Sequence, residues 1–326
     1  VYPVLLSEFQ LRTTSGGYEV VDDTQRRVVS LNPPAALILQ YCNGGRTLEQ
    51  IAAELSAALP SADADRIACD VRDTVNEMES CGILAMAEHR SLPDFVIAGA
   101  QKSGTTALQR NLRRHRQVYM PERELHFFSI DRNWKRGPGW YRSFFPESRL
   151  LQGEKTPNYL AIQEAHRRMN WLIPTTRLIV ILRDPVLRAF SHWNHFNQIA
   201  DESTKWGWKV CDFESSLHAN PSVLQFGLYA DQLENLFRFF PEDVVHISIN
   251  EDFRRASDGE FAKICNFLGL ASPGFPYESH HSRQYCENMP VRVRRKLAEY
   301  YYQPNERLFE LLGRRIDDWT SLPGRQ

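Results

Sequence analysis

An α/β fold is predicted for this chain, a parallel sheet flanked by helices and preceded by a small α+β domain. Three observations predict it. From Asp94 onward, short β-branched runs alternate with helical patterns; a glycine-framed turn joins the first of those runs to the first of those helices; and the first quarter of the chain has a different texture. Alternating strands and helices of this kind build parallel sheets covered on both faces.

The N-terminal region opens with "YEVVDDTQRRVVSLN", two alternating runs around a polar turn at Asp22-Asp23-Thr24. Three helical segments follow: "PPAALILQYC", then "TLEQIAAELSAAL" after Gly44-Gly45, then "DADRIACDVRDTVNEMESCG". In the last, Ile67, Val71, Val75 and Met78 recur at helical spacing and predict one buried stripe. Gly82 ends that helix, and "ILAM" reads as a closing strand. A hairpin with three helices predicts a winged-helix-like domain over residues 1–88, joined by a polar linker at 89–94 to a second domain over 95–326.

In the second domain the predicted strands are "FVIAG", "LLQGE", "TRLIVILR" and "VVHISI". Helices are predicted over Thr105–Arg116, Ile162–Trp171, Pro185–Asn197 and Tyr229–Phe240. Ligands of such sheets gather at the carboxyl ends of the strands.

Composition narrows the function classes. The chain is 42% hydrophobic and 24% charged with a net charge of −1, so no global field recruits nucleic acid. No apolar run is long enough for a membrane span, and "VYPVLLSEFQ" lacks the basic start of a signal peptide. Six scattered cysteines and ten histidines show neither zinc-site nor disulfide spacing. A cytoplasmic protein without a bound metal is expected.

The turn within "VIAGAQKSGTTALQRNL" nearly spells a nucleotide-binding loop. A Walker loop reads Gly-x-x-x-x-Gly-Lys-Ser/Thr, which demands lysine where Thr105 stands. Here the lysine, Lys102, lies inside the turn. Amides from Lys102 to Thr106 point at an anion at the start of a helix, and Leu108 and Leu112 seat that helix on the sheet, which gives a P-loop-like parallel sheet. Without the Walker lysine, metal-assisted phosphoryl transfer is disfavoured.

A second anion site is read in "TRLIVILRDPVLRAFSHWNHF". Arg183 follows a buried strand, Asp184 can cap the next helix, and Pro185 suits its first turn. Val186, Phe190 and Trp193 form the buried stripe, and Ser191 lies on another face. A guanidinium and a hydroxyl at a strand end suit a second phosphate. Taken alone, Arg183 could equally serve a salt bridge.

With both sites in view, "QKSGTTAL", "ERELHFFS", "GWYRSFFP", "GEKTPNYL" and "LIVILRDPVLRAFSHW" resemble the sulfotransferases that use 3′-phosphoadenosine 5′-phosphosulfate (PAPS). Within these the resemblance is to the heparan sulfate N- and 3-O-sulfotransferase branch and its bacterial relatives, from about Asp94 to Trp319. It implies that Lys102 neutralises the departing phosphate, while Gln101, Ser103, Gly104, Thr105 and Thr106 cradle the 5′-phosphosulfate. It also implies that Arg183 and Ser191 hold the 3′-phosphate, and that the product is adenosine 3′,5′-bisphosphate. Glu124 of "ERELHFF" matches the family's general base. If that segment is extended, Glu124 and His126 point the same way. Lys155 of "GEKTPNY" matches a lysine facing the transferred sulfate, and Tyr159 would line the acceptor cleft.

Other features stay open between function and packing. Trp206 and Trp208 share strand-type spacing and could stack on an acceptor. The basic runs in "LQRNLRRHR" and "RVRRK" read as solvated faces. The heparan branch carries Lys-Gly-Arg before its last helix; here "HHSRQYCENMP" stands instead, and Arg283 is the nearest substitute. The hairpin, the "SLNPPAALIL" segment, "GRTLEQIA" and the closing "GIL" resemble the pyrroloquinoline quinone biosynthesis D protein and related peptide-recognition elements. That implies capture of a peptide by β-augmentation, and simple packing is the alternative. The expected reaction is sulfuryl transfer to a hydroxyl or amine of a saccharide, natural-product or peptide-derived acceptor. Two alternatives are a nucleotide kinase or NTPase with Asp184 as metal ligand, and a peptide-binding protein on an inactive scaffold.

Overall fold

The computed structural model describes residues 1–6, 9–22, 24–87, 92–146, 150–279 and 288–319. Arg283 and Cys286 lie outside them. The other five cysteines are free thiols. The chain divides into two compact units: Val1–Asp94 with Ile130–Gln152 and Trp171–Pro174, and Phe95–Ser129 with Gly153–Asn170 and Thr175–Gln326. The first unit thus takes in segments that the sequence assigns to the second domain.

In the first unit, β1 (Tyr2–Leu5) pairs antiparallel with β5 (Leu84–Ala87), in register Tyr2↔Ala87 to Leu5↔Leu84. β2 (Phe9–Thr14), β3 (Gly17–Asp22) and β4 (Arg27–Leu31) make an antiparallel sheet in that order. The sequence reading has β3, β4 and β5 but lacks β1 and β2. In β2, Phe9 and Leu11 pack on the core while Gln10 and Arg12 are exposed, an alternation that the sequence carries over only four residues. The polar turn forms as expected: Asp22 Oδ1 accepts from Thr24 N, Thr24 Oγ1 and Arg26 N at 2.7–3.0 Å.

Three helices close this core. In α1 (Pro33–Tyr41), Asn32 Oδ1 accepts from Ala35 N at 2.8 Å. A reciprocal capping box of Thr47 and Gln50 starts α2 (Leu48–Ala58). Asp63 caps α3 (Ala64–Ser80), whose Ile67, Val71, Val75 and Met78 are buried against Val20, Ile38, Leu39 and Leu55. The helical spacing therefore identifies the packing face correctly.

The second unit is built on a sheet ordered β10-β9-β6-β8-β7. These are Val245–Ile249, Arg177–Leu182, Phe95–Gly99, Leu151–Lys155 and Val118–Tyr119. The β10–β9, β9–β6 and β6–β8 pairings are parallel. All of β6 is buried, and so is β9 beyond Arg177, as in a sheet covered on both faces. The short β7 has no counterpart in the sequence reading. Predicted helices appear at α4 (Thr105–Arg114), Gln163–Leu172, Pro185–Gln198 and Tyr229–Phe237. α4 ends two residues early, at a His115 with extended backbone.

From β6 the chain moves to β7 and β8 on one side, then to β9 and β10 on the other. The direction of winding therefore reverses beside β6, and the turns after β6 and β9 become neighbours. Ala100 N donates to Ile181 O at 2.8 Å across that point. No described helix is long and apolar enough to cross a membrane.

Candidate active site

The turn after β6 builds the first half of the site. Lys102 has φ 71° and Gly104 φ 100°, both left-handed, and Gly104 is the residue before α4. A Cβ on Gly104 would lie 2.9 Å from Asn250 Nδ2, and Asn250 Nδ2 itself donates to Ser103 O at 3.0 Å. The left-handed backbone calls for glycine, and a side chain there would also push the Asn250 amide away from Ser103 O. No side chain caps the amides at this end of α4. Ser103 and Thr105 are buried, Gln101 and Lys102 half-buried, and Gly104 and Thr106 exposed.

Arg183 comes off the end of β9, as expected, and its Nη1 donates to Lys102 O at 3.2 Å. The same guanidinium has its Nε buried without a hydrogen-bond partner, while Tyr229 Oη donates to Arg183 O at 2.9 Å. An orphaned guanidinium N–H beside an uncapped helix start fits a ligand that carries anionic oxygens. Ser191 is buried two turns into the Pro185–Gln198 helix. The next residue, His192, has its pKa pushed well below the usual range by burial first, then by the charges of Arg188, Lys102 and His195. Lys102 and Arg183 therefore meet, and the helix turn that carries Ser191 and His192 lies close enough for His192 to feel the charge of Lys102.

Asp184 is the predicted helix cap: its Oδ1 accepts from Val186 N at 2.8 Å and Leu187 N at 3.4 Å. That use competes with a metal-ligand role. Among the described residues no cluster of three or more His, Cys, Asp or Glu forms a metal site.

The second half of the site joins the 124–126 segment to the end of β8. Lys155 Nζ lies 2.7 Å from Glu124 Oε1 and donates to Thr106 Oγ1 at 3.3 Å. His126 Nε2 lies 3.4 Å from Glu124 Oε2. Burial acts to raise the Glu124 pKa, but the His126 hydrogen bond and the charge and hydrogen bond of Lys155 outweigh it, so the carboxyl sits below its ordinary value. Glu124 is an ionised carboxylate at neutral pH, one lysine away from Thr106 in the turn after β6.

Three expectations are corrected here. The segment around Glu124 is not a strand: His126 has φ 50°, and the Glu124–His126 contact comes from a turned backbone instead of alternation. Tyr159 does not line a cleft; it is fully buried, and its hydroxyl accepts from Phe127 N at 3.0 Å. Trp206 and Trp208 do not share a strand face, because Trp206 ends a 3-10 turn and Gly207 follows with φ 85°. Trp208 is buried and donates to Asn197 Oδ1 at 2.8 Å, whereas Trp206 is 63% exposed. Two residues of the basic run on α4 make surface pairs, Arg113 with Glu122 and Arg114 with Glu278.

Two contributors escaped the sequence reading. Asn250 follows the last residue of β10, and the strand-end rule applied to that strand singles it out. Tyr229 begins a predicted helix, but nothing local in the sequence tells that its hydroxyl reaches Arg183.

Residues 92–300 match the sulfotransferase domain family, and residues 19–84 match the family described as coenzyme PQQ synthesis protein D. Human heparan sulfate glucosamine 3-O-sulfotransferase 6 is 33% identical over 257 residues, covering 69% of this chain and 73% of that protein. Human heparan sulfate glucosamine 3-O-sulfotransferase 3B1 is 31% identical, covering 69% and 64%. Among solved structures, a sulfotransferase from Alicyclobacillus acidocaldarius superimposes with a TM-score of 0.60 at 26% identity, covering 70% of this chain and 99% of that one.

Proposed function

Because the chain belongs to the sulfotransferase family and transfers a sulfuryl group, we propose that its donor is PAPS and that Glu124 takes the proton from the acceptor. The observation that carries this reading is the Lys155 bridge. One ammonium touches both the candidate base, at 2.7 Å, and Thr106 of the anion loop, at 3.3 Å. A base held there is one side chain away from the turn to which this reading assigns the donor's phosphosulfate, which suits general-base work.

In this reading the 5′-phosphosulfate lies against Gln101–Thr106, and Arg183 and Ser191 take the 3′-phosphate. The orphaned Arg183 Nε and the uncapped start of α4 support that fit. Glu124 accepts the acceptor proton, and the acceptor oxygen or nitrogen forms a bond to sulfur. The bond from sulfur to the phosphate oxygen breaks, and adenosine 3′,5′-bisphosphate leaves with its electron pair. Lys102 stabilises charge on that oxygen, Lys155 stabilises the equatorial sulfuryl oxygens, and His126 orients Glu124. Arg283, the remaining candidate for the 3′-phosphate, lies outside the described residues.

The acceptor class proposed is a hydroxyl or amine on a saccharide, natural product or peptide-derived compound, since the relatives named above act on heparan sulfate glucosamine. Residues 1–88 serve as a peptide-recognition domain and 95–326 as the transfer domain. In the three-stranded sheet, β4 pairs with β3 alone among the described strands, which leaves an edge for an added strand.

The test is transfer of labelled sulfate from PAPS across de-sulfated heparan oligosaccharides, amino sugars, phenols and synthetic peptides, with calorimetry of adenosine 3′,5′-bisphosphate against AMP. Lys102→Ala and Glu124→Gln should each lower turnover at least ~100-fold. Equal affinity for the bisphosphate and AMP would overturn the donor assignment. Wild-type turnover in Glu124→Gln would overturn the base.

A further inference from the structure

Three side chains at the end of β8 take no part in the chemistry above, yet all three are fully buried: Glu154, Thr156 and Tyr159. Their hydrogen bonds converge on one target. Thr156 Oγ1 accepts from His126 N at 3.4 Å and donates to Glu154 Oε2 at 3.2 Å. Tyr159 Oη accepts from Phe127 N at 3.0 Å and, more weakly, from Phe128 N at 3.5 Å. Three consecutive amides, starting two residues after Glu124, are therefore held by two hydroxyls.

The need for such a hold is visible in the backbone. His126 has φ 50°, a conformation sparsely populated by residues other than glycine, and it persists only where its surroundings over-determine it. Burial first, then the charge of Glu154, push the Tyr159 pKa far above its ordinary value, so the phenol keeps its proton. The carboxylate of Glu154 is the group that favours the protonated phenol, which leaves the oxygen lone pairs for the amides. From the far side, Arg168 Nη1 donates to Phe128 O at 3.1 Å. Lys155 sits between Glu154 and Thr156 in the chain, so both members of the Glu124–Lys155 pair are referred to one strand end.

We propose that Glu154, Thr156 and Tyr159 form a buried clamp whose task is to position the Glu124 segment against Lys155. They are positioning residues: none touches a reacting atom, and each acts through the backbone of 126–128. The clamp's importance for turnover rests on Glu124 being the base; the clamp itself does not.

The experiment uses the full chain and Thr156→Val, Thr156→Ser and Tyr159→Phe. Hydrogen exchange should be roughly 10-fold faster at the amides of 126–128 in Thr156→Val and Tyr159→Phe, the factor that one lost hydrogen bond carries. Amides of β6 and β9 should not change, and Thr156→Ser should behave as wild type. Carbon NMR of labelled glutamates, assigned with Glu124→Gln, should show the Glu124 pKa moving up toward its ordinary value in Thr156→Val and Tyr159→Phe as Lys155 and His126 lose register. Tyr159→Phe keeps the ring edge on Phe128, 5.4 Å between centroids, so it tests the idea even where Thr156→Val fails to fold. Wild-type exchange and wild-type Glu124 titration in Tyr159→Phe would overturn the clamp. Faster exchange with a shifted Glu124, in a protein whose Glu124→Gln variant still turns over fully, would support the clamp while removing the base assignment.

Discussion

Burial makes Glu124 harder to ionise, while His126 and Lys155 make it easier by a larger amount. The carboxyl therefore keeps its charge below the pH at which an ordinary glutamate protonates. The acid limb of kcat/KM should fall below the usual glutamate range, and Lys155→Met should move it upward; a limb unmoved by that substitution contradicts the pairing. Asp184 behaves oppositely. Burial, partly offset by the Val186 and Leu187 amides and reinforced by Glu251, lifts its pKa from 3.8 to about 6. Between those values the folded chain holds a proton that the unfolded chain has released, so this group's contribution to stability falls as pH rises and levels off above about 6. Asp184→Asn keeps an oxygen for the cap and cannot ionise. Its Tm relative to wild type should climb from pH 4 to pH 6 and then stay constant, as read by calorimetry across that range.

At the scale of elements, local rules carried most of the reading. The α3 stripe, the Asp184 cap and the glycine-framed turn each depend on residues within a few positions of one another, and each forms as expected. The same locality explains the failures. The extended backbone that would align Glu124 with His126 does not form: the chain turns at His126, where hydroxyls of Thr156 and Tyr159, some thirty residues on, accept from the amides of 126 and 127. Trp208 reads as a polar-loop aromatic, yet it packs on Phe196 and bonds Asn197 of the preceding helix. In the capping box of α2, Thr47 N donates to Gln50 Oε1 at 2.9 Å and Gln50 N to Thr47 Oγ1 at 3.4 Å. Thr47→Ala should cost about 1 kcal/mol in chemical denaturation of the first unit. No loss of stability would mean that packing of Ile51 and Leu55 alone defines this helix start.

At the scale of the molecule, the first unit includes residues far down the chain, and Arg142 shows how. From the "GWYRSFF" segment, its Nη1 donates to Asn43 O at 3.0 Å and its Nη2 to Leu5 O at 3.1 Å. Burial lowers its pKa to about 10, so it remains charged at neutral pH, and charged donors to carbonyls are the stronger kind of hydrogen bond. Arg142→Met should destabilise the first unit by about 2 kcal/mol. A chain cut to begin at Asp94 loses both carbonyls and should melt lower or aggregate. An undiminished Tm in the truncated chain would show that 130–152 stands without the N-terminal residues.

By itself the sequence determined the parallel α/β class and the glycine-framed turn with its displaced lysine, and it picked out Lys102 and Arg183, because periodicity and turn chemistry act over a few residues; Glu124 and Lys155 stood out only through their match to family motifs. Only the tertiary structure decided which of them meet. The order β10-β9-β6-β8-β7 brings the turns after β6 and β9 together. The end of β8 sets Lys155 between Glu124 and Thr106, and buried hydroxyls of that same strand end hold the turned backbone of the Glu124 segment. Such contacts are made by groups distant in the chain, so their geometry follows from strand order and packing, which no local pattern encodes.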